Sequence, residues 1–410
     1  MVVVDSQACI AQMRSVKGVA WGVANARIKN NDRNDVVVLK IDEGSEVAGV
    51  FTRNAFCAEP VKLARAHLQT APARYFLINS GNANACTGAA GMRAAKATCD
   101  ALAALTAVAP ESVLPFSTGV IGQLLPAQRI IDVLPQVLND CHGDAHHWHA
   151  AAEAIMTTDT RPKTASRTLS LQGEDVVISG IGKGAGMIKP NMGTMLAYVA
   201  TDASISAELL AMLAKQAANQ SFNRITIDGD TSTNDAAMLV ATGQSGAPRI
   251  ESQDSEDFAL FSAALIEVYQ SLAQQIVRDG EGATKFVSVQ VNGGATAQES
   301  LDVAYAIAHS PLVKTALFAS DPNWGRIVAA IGNAGLEQLD VEKITVYLDD
   351  VLIVKHGGCA DSYTEEAGSA IFAKPEFTIT VNLQRGDCDE RLWTTDLSYE
   401  YIKINAEYRS

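Results

Sequence analysis

The chain has 410 residues, of which 48% are hydrophobic and 19% charged, with a net charge of −14 and a pI near 5.0. That composition excludes a disordered or membrane-embedded polypeptide, and the acidic balance excludes a nucleic-acid-binding surface, which needs a basic face. Seven scattered cysteines with no C-x-x-C pair read as reduced thiols, not as a disulfide framework or a zinc site. The N-terminus lacks the basic start and apolar core of a signal peptide, and no apolar run reaches membrane-spanning length. A soluble cytoplasmic protein is expected, long enough for two or three domains or one large layered body.

Residues 14–80 read as β-rich, with short β-branched or aromatic runs at Val36–Leu39, Val47–Thr52 and Tyr75–Ile78 between turn residues. The polar loop Asn79–Gly88 leads into an alanine-rich helix to about Val108. Val113–Gly122 reads as a strand entering a loop, and Ala127–Cys141 and Trp148–Thr157 as helices. A strand at Val176–Ser179 precedes a glycine-rich stretch broken by Pro190. The apolar run Met195–Ala200 then predicts a buried strand, followed by a helix over Ser206–Asn219. A long helix is predicted over Ser255–Ile276, then a strand at Phe286–Val291 and a helix at Ser300–His309. The tail reads as β-rich, with strands at Ile344–Leu348, Val351–Val354, Phe377–Val381 and Tyr399–Ile404. Strands and helices cluster instead of alternating strictly, which predicts a layered α+β architecture, not a doubly wound sheet.

Residues 182–202 carry the sharpest chemical signal. Gly193-Thr194 places a hydroxyl at the mouth of a strand, next to an unhindered acyl donor. Attack by the Thr194 hydroxyl on the Gly193 carbonyl, an N-to-O acyl shift and hydrolysis would expose Thr194 as a new N-terminus. Its α-amine titrates at about 7.7–8.0, so the freed residue carries its own base. Other signals are weaker. Gly180-Ile181-Gly182-Lys183-Gly184-Ala185 matches a loose dinucleotide pattern, but Pro190 and Gly193 fall where the required helix would run. The loop Asp228–Asp235 departs from a calcium loop at two key positions, and no metal is expected there; its alternatives are a catalytic role or a turn whose Asx and Thr side chains cap backbone groups. No Ser-His-Asp set stands out, and His142, His146 and His147 read as a solvated helix start. Ser117-Thr118-Gly119 can offer a hydroxyl and an open backbone N–H to an oxyanion. Glu281, between two glycines, reads on its own as a surface turn carboxylate.

Lys183-Gly184-Ala185-Gly186-Met187-Ile188, Pro190-Asn191-Met192 and Thr194-Met195-Leu196 together resemble the processing-site signature of the ornithine acetyltransferases, the bifunctional glutamate N-acetyltransferase and amino-acid acetyltransferase family. The likeness runs over essentially the whole chain. It includes Asn82–Gly88, Ser117-Thr118-Gly119, Met156–Thr160, Asp228–Asp235, Arg278–Lys285, Asp321–Arg326 and Ile404–Tyr408. The resemblance implies an α chain of residues 1–193, a β chain of residues 194–410 and an α2β2 heterotetramer. It implies a layered α/β fold shared with the self-cleaving N-terminal-nucleophile aminopeptidases. It further implies that Thr194 carries acetyl from N2-acetyl-L-ornithine to L-glutamate in a ping-pong cycle of arginine biosynthesis. Thr118 and Gly119 would form the oxyanion hole, and Thr157, Lys183, Thr194, Glu281, Asn405 and Ser410 would bind substrate. Lys183 suits a carboxylate and Glu281 an ammonium group. No cofactor or catalytic metal is implied, and the use of acetyl-CoA as co-substrate is left open.

Three positions depart from the family pattern: Gly193 for alanine, Lys189 for a small or apolar residue, and Ser410 for a terminal threonine. The first eases the acyl shift sterically, the second bears on processing rate, and the last keeps the hydroxyl. Two rival readings are an N-terminal-threonine aminopeptidase or amidase, with water as acceptor, and an uncut binding or scaffold protein. The Lys183, Glu281 and Asn405 set favours an amino-acid acceptor over the first. Intact Thr194 and Ser117-Thr118-Gly119 weaken the second.

Overall fold

The computed structural model describes residues 12–29, 32–189 and 195–407. The first part of the chain forms β1 (Val19–Ala24), β2 (Val36–Ile41), β3 (Glu46–Phe51), α1 (Glu59–Thr70), β4 (Tyr75–Asn79), α2 (Gly88–Thr106) and β5 (Val113–Ser117). The middle forms α3 (Ala127–Asn139), α4 (Ala145–Ala154), β6 (Lys163–Leu171), β7 (Glu174–Lys183), β8 (Leu196–Thr201), α5 (Ala207–Asn219), β9 (Ile225–Thr226), β10 (Ala236–Ala241) and α6 (Glu256–Arg278). There follow β11 (Phe286–Gly294), α7 (Ala297–His309), α8 (Pro311–Ala319), α9 (Trp324–Gly332), β12 (Thr345–Leu348), β13 (Val351–Lys355) and β14 (Gly358–Cys359). The chain closes with α10 (Glu365–Phe372), β15 (Glu376–Asn382), β16 (Cys388–Thr395) and α11 (Tyr399–Ala406). These elements fall into two units, the first comprising Met1–Gly184, Lys189–Asn223 and Thr231–Ile276, the second Ala185–Ile188, Arg224–Asp230 and Val277–Ser410.

The first unit has two sheets, ordered β1-β2-β4-β5 and β3-β10-β8-β7-β6. Strand β2 shows why both lie inside. Its run Val36-Val37-Val38-Leu39 is buried at every residue, as strands covered on both faces are. Alternate side chains divide between two cores. Val37, Leu39, Phe76, Ile78 and Phe116 face Leu196, Tyr198, Ala200, Met238 and Val240 of the second sheet. Val36, Val38, Tyr75 and Leu77 face Cys99 and Leu102 of α2 and Leu134 and Val137 of α3. Helix α5 packs on β3 and β10 of the other sheet. A side chain at Gly180 of β7 would meet Val199 and Leu272, so that glycine admits the close approach of α6. The order is helix, sheet, sheet, helix, as the layered expectation required. Each fully buried Leu or Phe in this stack contributes about 1.5–3 kcal/mol.

Strand β8 is the pivot of the second sheet, running parallel to β10 and antiparallel to β7 with Lys183 opposite Leu196. Its entry is pinned, because the Ala236 N–H donates to the Met195 carbonyl at 3.0 Å. The predicted buried strand is therefore found. Gly180 and Gly182 lie inside β7, which removes any phosphate-loop reading of that stretch.

The second unit holds one sheet, β14-β13-β12-β15-β11-β16-β9. Val287, Val289 and Val291 of β11 and Ile379 and Val381 of β15 bury against Val303, Ile307, Leu317, Ile331 and Phe372 of the helices on that face.

Several sequence expectations need correction. Residues 14–80 are not simply β-rich: they contain α1, which starts with Pro60 in its first turn and buries Val61, Leu63, Ala64 and His67. Tyr399–Ile404 is not a strand but lies in α11. Its alternation Tyr-Glu-Tyr-Ile-Lys-Ile mimics a period of two. Yet Tyr399 and Ile402 are exposed at 80% and 61%, and Ser398 caps the helix by accepting the Tyr401 N–H. Helix α3 ends at Asn139, α4 begins at Ala145, and β6, α8, α9, α10 and β16 went unanticipated.

Candidate active site

Within the first unit, the loop that follows β5 is built on side-chain amides. Ser117 Oγ donates to Asn79 Oδ1 at 2.6 Å, and the Thr118 N–H donates to the Asn79 carbonyl at 2.9 Å. Asn234 Nδ2 donates to the carbonyls of Ser117 and Ala83, at 2.9 and 2.6 Å, joining the two loops. Gly119 has φ +134°, and a Cβ there would sit 2.3 Å from the Gly81 carbonyl carbon, so no other residue fits. With Thr118's own amide engaged, the dipeptide's remaining donors are the Thr118 hydroxyl and the Gly119 N–H.

At the end of β7, Lys183 Nζ donates to Thr118 Oγ1 at 3.1 Å and to Thr157 Oγ1 at 2.9 Å. Both hydroxyls named from the sequence thus meet the named lysine. Asp159, which sequence reasoning quoted only as part of a motif, organises the group. Its carboxylate accepts the Thr157 N–H at 2.9 Å and the Gly184 N–H at 2.7 Å, and pairs with Lys163. Lys163 and Asp159 side chains are wholly buried. Burial by itself would raise the Asp159 carboxyl, but Lys163, Lys183 and its hydrogen bonds hold it well below the usual carboxylate range. Asp235 is the opposite case. Burial pushes its carboxyl well above the usual range, against the pull of the Ser232 side chain and Lys183, and Oδ2 has no hydrogen-bond partner among the described residues.

Within the second unit, Glu281 is buried at 8% exposure, which corrects the surface-turn reading. Its backbone N–H donates to the Ala185 carbonyl at 2.8 Å, and its Oε2 accepts Asn405 Nδ2 at 2.7 Å. A Cβ on Gly186 would fall 2.4–2.5 Å from the Glu281 carboxylate, so that glycine is what leaves room for the acid. Asp228 holds the same segment: its two oxygens accept the N–H groups of Met187 and Ile188 at 2.6 and 2.9 Å. Tyr401 of α11 donates its hydroxyl to Asp228 at 3.2 Å. The Asp228–Asp235 loop therefore caps backbone, the turn alternative weighed from its sequence.

Thr118, Gly119, Thr157 and Lys183 are thus placed together, as separately are Glu281 and Asn405. Gly193, Thr194 and Ser410 lie outside the described residues. Sequence reasoning missed Asp159, Asn79, Asn234 and Asp228 as organisers. The available signal was an acid or amide beside each motif threonine or glycine, with nothing to say which backbone it would bond.

Comparison with known proteins places the chain. A sequence profile of the ArgJ family matches residues 20–410. Two relatives, from Pseudomonas syringae pv. tomato and Pseudomonas fluorescens, are 57% and 56% identical over 398 residues, spanning 97% of this chain and 98% of each relative. Both are named arginine biosynthesis bifunctional protein ArgJ. A crystal structure of the protein of that name from Bacillus halodurans is 40% identical, covering 50% of this chain and 95% of its own, with a TM-score of 0.48. On the profile match and the two near-full-length relatives, the chain belongs to the ArgJ family.

Proposed function

We propose that the chain is a self-processing acetyltransferase of arginine biosynthesis that moves acetyl from N2-acetyl-L-ornithine to L-glutamate through Thr194. Maturation begins when the Thr194 hydroxyl adds to the Gly193 carbonyl carbon. The Gly193–Thr194 C–N bond breaks, an ester forms, and the freed nitrogen takes up the hydroxyl proton. Water then hydrolyses the ester, leaving residues 1–193 with a new carboxylate and residues 194–410 with a free Thr194 amine. That amine is the base for the second task. It takes the hydroxyl proton as Oγ attacks the acetyl carbonyl, and returns it to the departing ornithine amine. Glutamate's amine then attacks the acetyl ester and leaves as N-acetylglutamate. No cofactor is needed, because the threonine carries the acyl group.

Thr118 and Gly119 supply the oxyanion donors in both acyl transfers, each such donor being worth about 2.7–4 kcal/mol in comparable sites. Lys183 receives the substrate carboxylate and Glu281 the ornithine side-chain ammonium, with Thr157, Asn405 and Ser410 completing the substrate contacts. The matured chains assemble as α2β2. The observation that carries this reading is the contact of Lys183 Nζ with both the Thr118 and Thr157 hydroxyls, in a chain whose family is shown. It puts a cation against the proposed oxyanion loop.

The test is steady-state transfer with acetylornithine and glutamate varied together. Parallel double-reciprocal lines are expected, with glutamate-dependent release of N-acetylglutamate. Acetyl release that is equally fast without glutamate would make the protein an amidase and overturn the transfer. Acetyl-CoA in place of acetylornithine shows whether a second donor is accepted.

A further inference from the structure

A second cluster lies in the first unit, in the turn between α3 and α4, and it is independent of the chemistry proposed above. Asp140, His142 and His147 each present one ligand atom, and these atoms all lie within 4.8 Å of one another. Asp140 is the C-terminal cap of α3, and its N–H is tied to the Gln136 carbonyl at 3.2 Å. His142 is held by its backbone, which exchanges hydrogen bonds with Trp21 of β1 at 2.8 and 3.0 Å. Gly143 lets this turn approach β1, since a Cβ there would lie 2.9 Å from the Val19 carbonyl oxygen. His147 sits in the first turn of α4, whose cap is Asp144. Three separately anchored pieces of backbone therefore point ligand-type atoms at one spot.

The ring of His147 supplies the second observation. Its Nδ1 faces both oxygens of Asp144, at 2.9 and 3.0 Å. A carboxylate set against Nδ1 fixes the ring and turns Nε2 away from it, the geometry in which a carboxylate orients a metal-binding histidine. Nε2 in turn faces Asp140 Oδ1 at 3.7 Å. In a tetrahedral zinc site with bonds of about 2.0–2.1 Å, ligand atoms stand roughly 3.3 Å apart, so this pair requires only a small contraction. The His142 and His147 rings lie with centroids 4.7 Å apart, within reach of the same ion. The neighbouring Cys141 thiol is turned inward, toward the Val137 carbonyl at 3.4 Å. It is not a ligand.

We propose that Asp140, His142 and His147 form a binding site for a divalent first-row transition ion of the zinc class, with Asp144 orienting His147 and a fourth position open to solvent. Two imidazoles and one carboxylate suit that class and not magnesium or calcium, which prefer all-oxygen sets. The site cross-links the end of α3, the Trp21 edge of β1 and the start of α4. Read from its sequence this stretch is a solvated helix start. In the structure His142 and His146 are exposed and α4 begins at Ala145, and the site takes two of the three histidines, leaving His146 outside the cluster.

The experiment is calorimetric titration of tag-free, chelator-treated protein with zinc chloride, in a background where the exposed thiols of Cys86 and Cys359 are replaced by serine. One site per chain is expected, with no matching site for magnesium. His142→Gln and His147→Gln should each abolish it, and His146→Ala should leave it unchanged. Asp144→Asn should weaken it by about 10–100-fold, the usual effect of removing a carboxylate behind a ligating histidine. Circular dichroism of each variant checks that the fold is kept, and exposed His142 makes its substitution the safest. No zinc site in the parent, or a site that survives both His142→Gln and His147→Gln, would overturn the proposal.

Discussion

The two ends of the stretch that leads to Thr194 are held by different physics. Lys183 stands at the end of a strand, beside a wholly buried carboxylate that also holds a wholly buried lysine. Glu281 stands in a glycine turn, fixed by an adjacent glycine's missing side chain and by one amide from an exposed C-terminal helix. The first is a charge lock within a sheet, where removing one member leaves the others buried and uncompensated. The second is a steric niche with a single polar clasp, where removal costs local placement but little fold. The common role in substrate binding proposed for the two therefore predicts different failures.

The largest effect belongs to the charge lock. Asp159→Asn should destabilise the protein by about 3–5 kcal/mol, read as a lowered urea midpoint with an unchanged slope. The pH sign follows from the held-down carboxyl. Its ordinary value is 3.8, so below that pH the unfolded chain takes up a proton that the native state refuses. The stabilisation is full above that value and is lost as pH falls through the lower folded value. The wild type should weaken in acid more steeply than Asp159→Asn. Equal acid sensitivity would mean that the carboxylate is not charge-locked.

Gly186→Ala tests the steric niche. Its Cβ would fall 2.4 Å from the Glu281 carboxyl carbon, which must then move. KM for acetylornithine should rise by roughly 10- to 100-fold, as for loss of a charged hydrogen bond, with the unfolding midpoint nearly unchanged. Asn405→Ala should be milder, with KM up by roughly tenfold, because it removes the clasp and leaves the niche. A stability loss in either variant comparable to that of Asp159→Asn would erase the distinction between the two regions.

Much of this was legible in the sequence because it depended on local pattern. The apolar run from Met195 is a fully buried strand, and the long helix predicted over Ser255–Ile276 is α6, with Phe261, Leu265, Val268 and Leu272 buried. The motif residues Thr118, Thr157 and Lys183 proved to be neighbours. What was not legible is long-range and directional. Asp159 bonds the amide of Gly184, 25 positions away, and Asn234 reaches Ser117 across 117. No periodicity encodes such pairings. Alternation misled at Tyr399–Ile404, where a serine cap decides for helix over a two-residue period. Glu281 read as exposed because the glycines around it suggested a surface turn. The glycine that leaves room for its buried carboxylate is instead Gly186, distant in the chain.

The central claim is that Thr194 is a nucleophile released by cleavage after Gly193. The most direct test is the intact mass of the purified protein under denaturing conditions, beside a Thr194→Ala variant. The wild type should give two species whose masses sum to the chain plus one water, the smaller-numbered fragment ending at Gly193 and the other beginning at Thr194, while the variant stays whole. A wild-type protein that remains a single uncut chain yet transfers acetyl to glutamate would contradict the account.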